Sequence, residues 1–131
     1  MTELKNILYV EDEPDIQAVA RLALEMVGGF SVTICSSGEE ALAQLSAAKP
    51  DLILLDVMMP GMDGPTTLSR LRELPAAKNI PAVFMTAKVQ PDEVAHYKTL
   101  GAVGVIAKPF DPMTLSETVR GIWQEYARTA S

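Results

Sequence analysis

Acids, one threonine and one lysine stand at separated points of this 131-residue chain, each at or just past the end of a short apolar run. Glu11-Asp12-Glu13 follow "NILYV", Asp56 closes "DLILLD", Thr86 closes "AVFMT", and Lys108 follows "VGVIA". Brought together in space, these residue types would suit a narrow chemistry. Carboxylates held within several ångströms of one another repel, and each raises the others' proton affinity. A divalent cation relieves that repulsion, and Mg2+ accepts a few carboxylate oxygens completed by carbonyl and water. Such an ion keeps positions open for phosphate oxygens. A lysine offers those oxygens a point charge, and a threonine hydroxyl offers them a hydrogen bond. Phosphoryl transfer asks mainly for positioning and charge neutralisation. In that chemistry Asp56 is the nucleophile, with one carboxylate oxygen turned toward phosphorus and the other on the metal.

The elements that would deliver these groups alternate along the whole chain. Residues 6–10 read as a strand and 14–27 as a helix with Pro14 in its first turn, stopped by Gly28-Gly29. Residues 30–35 read as a second strand. Ser37 with Glu40 carries a capping-box signature for a helix over "GEEALAQLSAA", 38–48. Residues 51–56 form a near-continuous apolar run, the pattern of a strand covered on both faces. A short helix over 65–74, a strand over 82–86, a helix over 91–100 closed by Gly101 and a strand over 103–107 follow. Asp111-Pro112 then open a last helix with the apolar stripe Leu115, Val119, Ile122 and Tyr126. This alternation predicts an α/β fold, a flavodoxin-like doubly wound (βα)5 with a five-stranded parallel sheet of order 2-1-3-4-5 and helices on both faces. Chemistry in such sheets collects at the carboxyl ends of the strands. The second strand ends in Cys35-Ser36, with nothing charged, and it is the strand this order sends to the outer edge.

Composition bounds the function. An apolar fraction of 48% with 21% charged residues is that of a globular chain. No apolar run approaches the roughly 18 residues that cross a bilayer, so no membrane insertion is expected. The opening "MTELKNILYVEDEPD" does not resemble a signal peptide, and one cysteine builds neither a disulfide framework nor a zinc site. The cytoplasm is the expected compartment. A net charge of −6 argues against direct nucleic-acid binding and suits a metal cation or a basic partner surface. One domain is expected over 1–131, with its core over about 5–127 and "ARTAS" as a frayed end.

With these positions in hand, the sequence resembles the response-regulator receiver domains of two-component signalling, of the single-domain, chemotaxis type. The matching residues are Glu11-Asp12, Asp56 in "LDVMMPGMDG", Thr86 in "MTA" and Lys108 in "KPF". The resemblance implies phosphorylation of Asp56 by a sensor histidine kinase or phosphotransfer protein, with Mg2+ bound by Asp12, Asp56 and the Met58 carbonyl and by Glu11 through water. It implies that Thr86 and Lys108 contact the phosphoryl group and that the Lys108–Pro109 bond is cis. Output is then expected through a downstream protein on the face of the fourth and fifth helices and fifth strand. The domain is expected to be no enzyme in the ordinary sense, catalysing only its own phosphotransfer and dephosphorylation.

The chain departs from the family in two respects. Many receivers carry an aromatic residue three before the site lysine, where this chain has Val105, so any switch is expected to move the loop after Thr86 and the fourth helix, with Tyr97 or Phe84 as indicators. Met58 and Lys88, at positions that influence phosphoaspartate lifetime in the family, predict slow self-dephosphorylation, because the Met58 side chain cannot hydrogen-bond an attacking water. Blander readings hold elsewhere. Glu13 before Pro14 reads as a helix cap, His96 as a solvated or half-buried helix residue, Cys35 as a small buried hydrophobe and Trp123 as partly exposed. Met58 and Met59 read as packing, one of them covering the cleft. Three competing functions fit these residues less well. A haloacid-dehalogenase-type phosphatase needs a second aspartate where Met58 stands. A flavodoxin-like cofactor binder needs a phosphate-cradling loop where "VEDEPD" would repel phosphate. A receiver that only docks has no use for the complete acidic set, though Val105 fits it.

Overall fold

Side-chain alternation decides this architecture. The computed structural model describes residues 3–130, with the side chain of Ala130 excepted. Strand β3 (Leu52–Asp56) is buried at every position. Its neighbours are β1 (Asn6–Val10) and β4 (Ala82–Thr86), with β2 (Ser31–Cys35) and β5 (Gly104–Ala107) at the edges. All pairings are parallel and the order is β2-β1-β3-β4-β5, the flavodoxin-like arrangement the alternating pattern predicts.

Successive residues of a strand face opposite sides of the sheet, so each inner strand feeds two cores. Leu8, Val10, Ile53, Leu55, Ala82 and Phe84 join one core, which is closed by α2 (Gly38–Ala48), α3 (Gly64–Leu71) and α4 (Pro91–Thr99). Ile7, Tyr9, Leu52, Leu54, Val83, Met85 and Ile106 join the other, closed by α1 (Pro14–Arg21) and α5 (Leu115–Ala130). This is why "LILL" carries no polar residue: neither face of β3 meets water.

The element boundaries differ from the sequence pattern where side chains intervene. The helix expected over 14–27 is α-helical to Arg21 and continues as a π-helical segment, Leu22–Val27. There the Ser116 hydroxyl donates to the Ala23 carbonyl at 2.6 Å, and α5 packs so tightly that a Cβ on Gly28 would lie 2.2 Å from Ser116 Oγ. Helix α5 starts at Leu115, later than Asp111-Pro112 suggest, because the Asp111 carboxylate accepts the Met113 amide at 2.9 Å and holds a separate turn first. At its far end α5 runs on through Ala130 with Ala127 buried, so the segment expected to fray is helical. Ser131 lies outside the described residues. The Ser37 hydroxyl caps α2 by accepting the Glu40 amide at 3.1 Å, while the Glu40 carboxylate turns to the Ser36 amide instead of closing the reciprocal box. Helix α3 starts at Gly64 rather than 65 and ends at Leu71 rather than 74, since Asp63 caps it through the Thr66 amide at 2.8 Å and Arg72 spans to the Ala77 and Ile80 carbonyls.

Candidate functional site

Three residues continue the alternation of the α1/α5 face to the ends of the strands or just past them. Glu11 follows Tyr9, Asp56 follows Leu54 and Lys108 follows Ile106, each two residues on. The parallel register brings the three together. Lys108 Nζ lies 3.0 Å from Glu11 Oε1 and 3.2 Å from Asp56 Oδ1. Glu11 is fully buried and Asp56 is 3% exposed, so neither acid is screened by bulk water. Asp12 is half-buried and completes the cluster: Glu11, Asp12 and Asp56 each offer a carboxylate oxygen within 4.8 Å of the others. Carboxylate oxygens at that spacing fit a hard divalent cation.

Burial, and after it the charge of Glu11, push the Asp56 carboxyl up to about 6, with the Lys108 ammonium opposing both. Burial works against the Lys108 ammonium, yet the Glu11 and Asp56 carboxylates outweigh it and leave the Lys108 pKa above its ordinary value. The site therefore holds more acid than its one lysine neutralises.

The turn after Asp56 is built to be tight. A Cβ on Gly64 would lie 2.5 Å from the Asp56 carbonyl oxygen, so the chain returns over Asp56 only with glycine there. Gly61 sits in the left-handed region at φ 76°. The pair explains the two glycines of "MMPGMDG". Met59 packs into the core of the α2/α3/α4 face, whereas Met58 is 75% exposed.

Thr86 arrives from the opposite face, following Phe84. It is buried, its carbonyl accepts the Lys108 amide at 2.9 Å, and its hydroxyl accepts the Lys88 amide at 3.1 Å. No hydrogen bond joins that hydroxyl to the acids among the described residues. The Lys108–Pro109 bond is cis, as the resemblance implies. Glu13 occupies the N-cap position of α1 without a side-chain cap bond. Its own amide donates to Glu11 Oε2 at 3.2 Å instead, so the buried acid takes up the donor of its neighbour. His96 is exposed, and Cys35 is a free buried thiol whose pKa burial pushes up to about 11. Two contributors escape a reading of motifs alone. The Tyr9 hydroxyl donates to Glu11 Oε1 at 3.2 Å, and Gln17 Nε2 donates to the Glu11 carbonyl and to Ser36 Oγ. Strand period was the available signal for Tyr9, which lies two residues before Glu11.

Residues 7–120 match the response regulator receiver domain family. The chain belongs to that family. Its function is that of a phosphoacceptor receiver in two-component signalling. It is 32% identical over 130 residues to the transcriptional regulatory protein CseB of Streptomyces avermitilis, covering 99% of this chain and 54% of that protein. It is 36% identical over 123 residues to the response regulator Rre1 of Synechocystis, covering 93% of this chain and 53% of that protein. The receiver thus spans about half the length of these two curated relatives. Among solved structures, the chemotaxis protein CheY4 of Vibrio cholerae superposes with a TM-score of 0.83 at 31% identity, over 91% of this chain and 98% of that one. No helix among the described residues is long and apolar enough to cross a membrane.

Proposed function

We propose that Asp56 is the phosphoacceptor, that Glu11, Asp12, Asp56 and the Met58 carbonyl hold Mg2+ with Glu11 acting through water, and that Thr86 and Lys108 bind the phosphoryl group. The observation that carries this reading is the Lys108 ammonium set between Asp56 Oδ1 and Glu11 Oε1 in a buried cluster of three acids. The N–P bond of a phosphohistidine, on a sensor histidine kinase or phosphotransfer protein, breaks as an Asp56 carboxylate oxygen bonds to phosphorus. Water later cleaves that acyl phosphate to free Asp56 and inorganic phosphate. When bound, the cation supplies positive charge beside the transferred oxygens. This chain's residues do the rest: β3 and the Gly64 contact hold Asp56 still, Lys108 shifts onto the phosphoryl oxygens, and the Thr86 hydroxyl keeps its proton free to donate, since it only accepts from Lys88. The domain catalyses nothing beyond its own phosphotransfer and dephosphorylation.

Output through α4, β5 and α5 is supported by an open groove of about 450 Å3 between them, lined by Val94, Lys98, Val105, Glu117, Ile122 and Glu125. It would take a downstream protein, with no direct part for nucleic acid. Val105 pairs with Phe84 in the sheet, and the Phe84 ring lies 5.3 Å from that of Tyr97 on α4. The aromatic signal on this face accordingly belongs to Tyr97 and Phe84. The free Cys35 thiol suits the cytoplasm, and the reading takes residues 1–131 as one domain with its core over about 5–127. Incubation with acetyl phosphate and Mg2+ followed by intact mass tests the central assignment. One phosphoryl adduct is expected on the wild-type chain and none on Asp56→Asn; an adduct that survives the substitution overturns it.

A further inference from the structure

We propose that Tyr9 is a positioning residue of the phosphoryl site: its hydroxyl holds Glu11 Oε1 in place when Lys108 leaves that oxygen for the phosphoryl group. The inference rests on the phosphoacceptor reading and adds a residue that reading does not contain. Tyr9 and Glu11 are both fully buried, two residues apart on one face of β1 and just beyond its end. The ring belongs to the core closed by α1 and α5, alongside Leu54, Met85 and Leu115. Phenylalanine would fill that volume equally well; a hydroxyl at such a site has to find a partner. The partner here is Glu11 Oε1, at 3.2 Å, and the same oxygen accepts Lys108 Nζ at 3.0 Å.

Two donors on one buried oxygen make the lysine expendable. An ammonium that turns toward phosphoryl oxygens weakens its hold on Glu11. A buried carboxylate oxygen that loses its protein donors is costly, and that cost would tie Lys108 to Glu11. With the Tyr9 hydroxyl present the oxygen keeps a donor throughout. The other oxygen, Oε2, stays with the Glu13 amide at 3.2 Å, so the carboxylate holds its orientation while the lysine moves. Tyr9 touches neither the acceptor nor the transferred group; it acts through Glu11.

The test compares wild type with Tyr9→Phe, titrating beryllofluoride in the presence of Mg2+ as the phosphoryl stand-in. Tyr9→Phe is expected to melt close to wild type without ligand and to bind beryllofluoride about five-fold or more weakly. A second readout is one that a packing role would not move. In protein labelled with 13C at tyrosine Cζ, the resonance absent from Tyr9→Phe is expected to shift on beryllofluoride addition as the phenol takes over Oε1. Equal affinity in the two proteins, or a Tyr9 Cζ resonance that stays still on saturation, overturns the proposal. Failure of the wild type itself to bind beryllofluoride would instead overturn the phosphoacceptor reading beneath it.

Discussion

The two faces of the sheet finish their strands in opposite ways. On the α1/α5 side, alternation ends in charge: Glu11, Asp56 and Lys108, locked together by contacts of 3.0 and 3.2 Å. On the α2/α3/α4 side, it ends in Thr86 above Phe84, with Val105 beside that ring and Tyr97 packed against it. The first arrangement is electrostatic, and on the proposed reading it would gather a cation and a phosphoryl group. The second is apolar up to its edge, where Thr86 brings a hydroxyl and Asp12, two residues after Val10, brings one acid. A change at phosphorus would therefore pass from one face to the other through Thr86, whose carbonyl already accepts the Lys108 amide at 2.9 Å. A receiver can separate its chemistry from its signal simply by the two-residue period of a strand.

The largest expected break in that comparison comes from Lys108→Met. Glu11 and Asp56 would then face each other buried without their cation, at a cost of roughly 3–5 kcal/mol to the metal-free protein. Adding Mg2+ should recover more melting temperature in the variant than in the wild type. Equal recovery would mean that the lysine does not balance the acids. Next in size is a dependence on pH. Asp56 in the folded protein keeps its proton up to about 6, above the ordinary carboxylate range it shows when unfolded. Its contribution to stability is present below about pH 4 and lost as pH rises through about 6. Metal-free wild type should thus lose up to about 3 kcal/mol relative to Asp56→Asn over that window, and Mg2+ should bind more tightly across the same rise. Chemical denaturation of both proteins at stepped pH checks this, and parallel curves would refute it.

On the apolar face, Tyr97→Leu removes the ring partner of Phe84, a contact worth about 0.5–1.5 kcal/mol beyond its buried area. The adduct on Asp56 should still form, while amide shift changes in α4 on phosphorylation should shrink. Unchanged α4 shifts would remove Tyr97 from the account. The smallest effect is expected for Met58→Asn, which places an amide at an exposed position beside the acceptor and should speed decay of the phosphorylated form a few-fold. A decay rate like that of the wild type would show that Met58 does not set the lifetime.

Much of this was legible in the order of residues. The near-continuous apolar runs of β1 and β3 and the polar residues at the strand ends predict the sheet, its order and the meeting of Glu11, Asp12, Asp56 and Lys108. What escaped the pattern arises from contacts between segments distant in sequence. Ser116 meets Ala23 across 93 positions, beside the turn that becomes π-helical, and no local signal marks it. The Asp111 carboxylate delays α5 by favouring its own turn over the helix. Tyr9 reads as one more apolar strand residue until its hydroxyl is seen against Glu11. Glu13, placed to cap α1, makes no side-chain cap bond, and its amide donates to the buried Glu11.

Borohydride trapping of the acyl phosphate, followed by peptide mapping of protein treated with acetyl phosphate, tests the central claim most directly. The account predicts Mg2+-dependent labelling confined to the peptide carrying Asp56 and lost when Mg2+ is chelated. Labelling at Asp12 or elsewhere, or labelling indifferent to the cation, would contradict it.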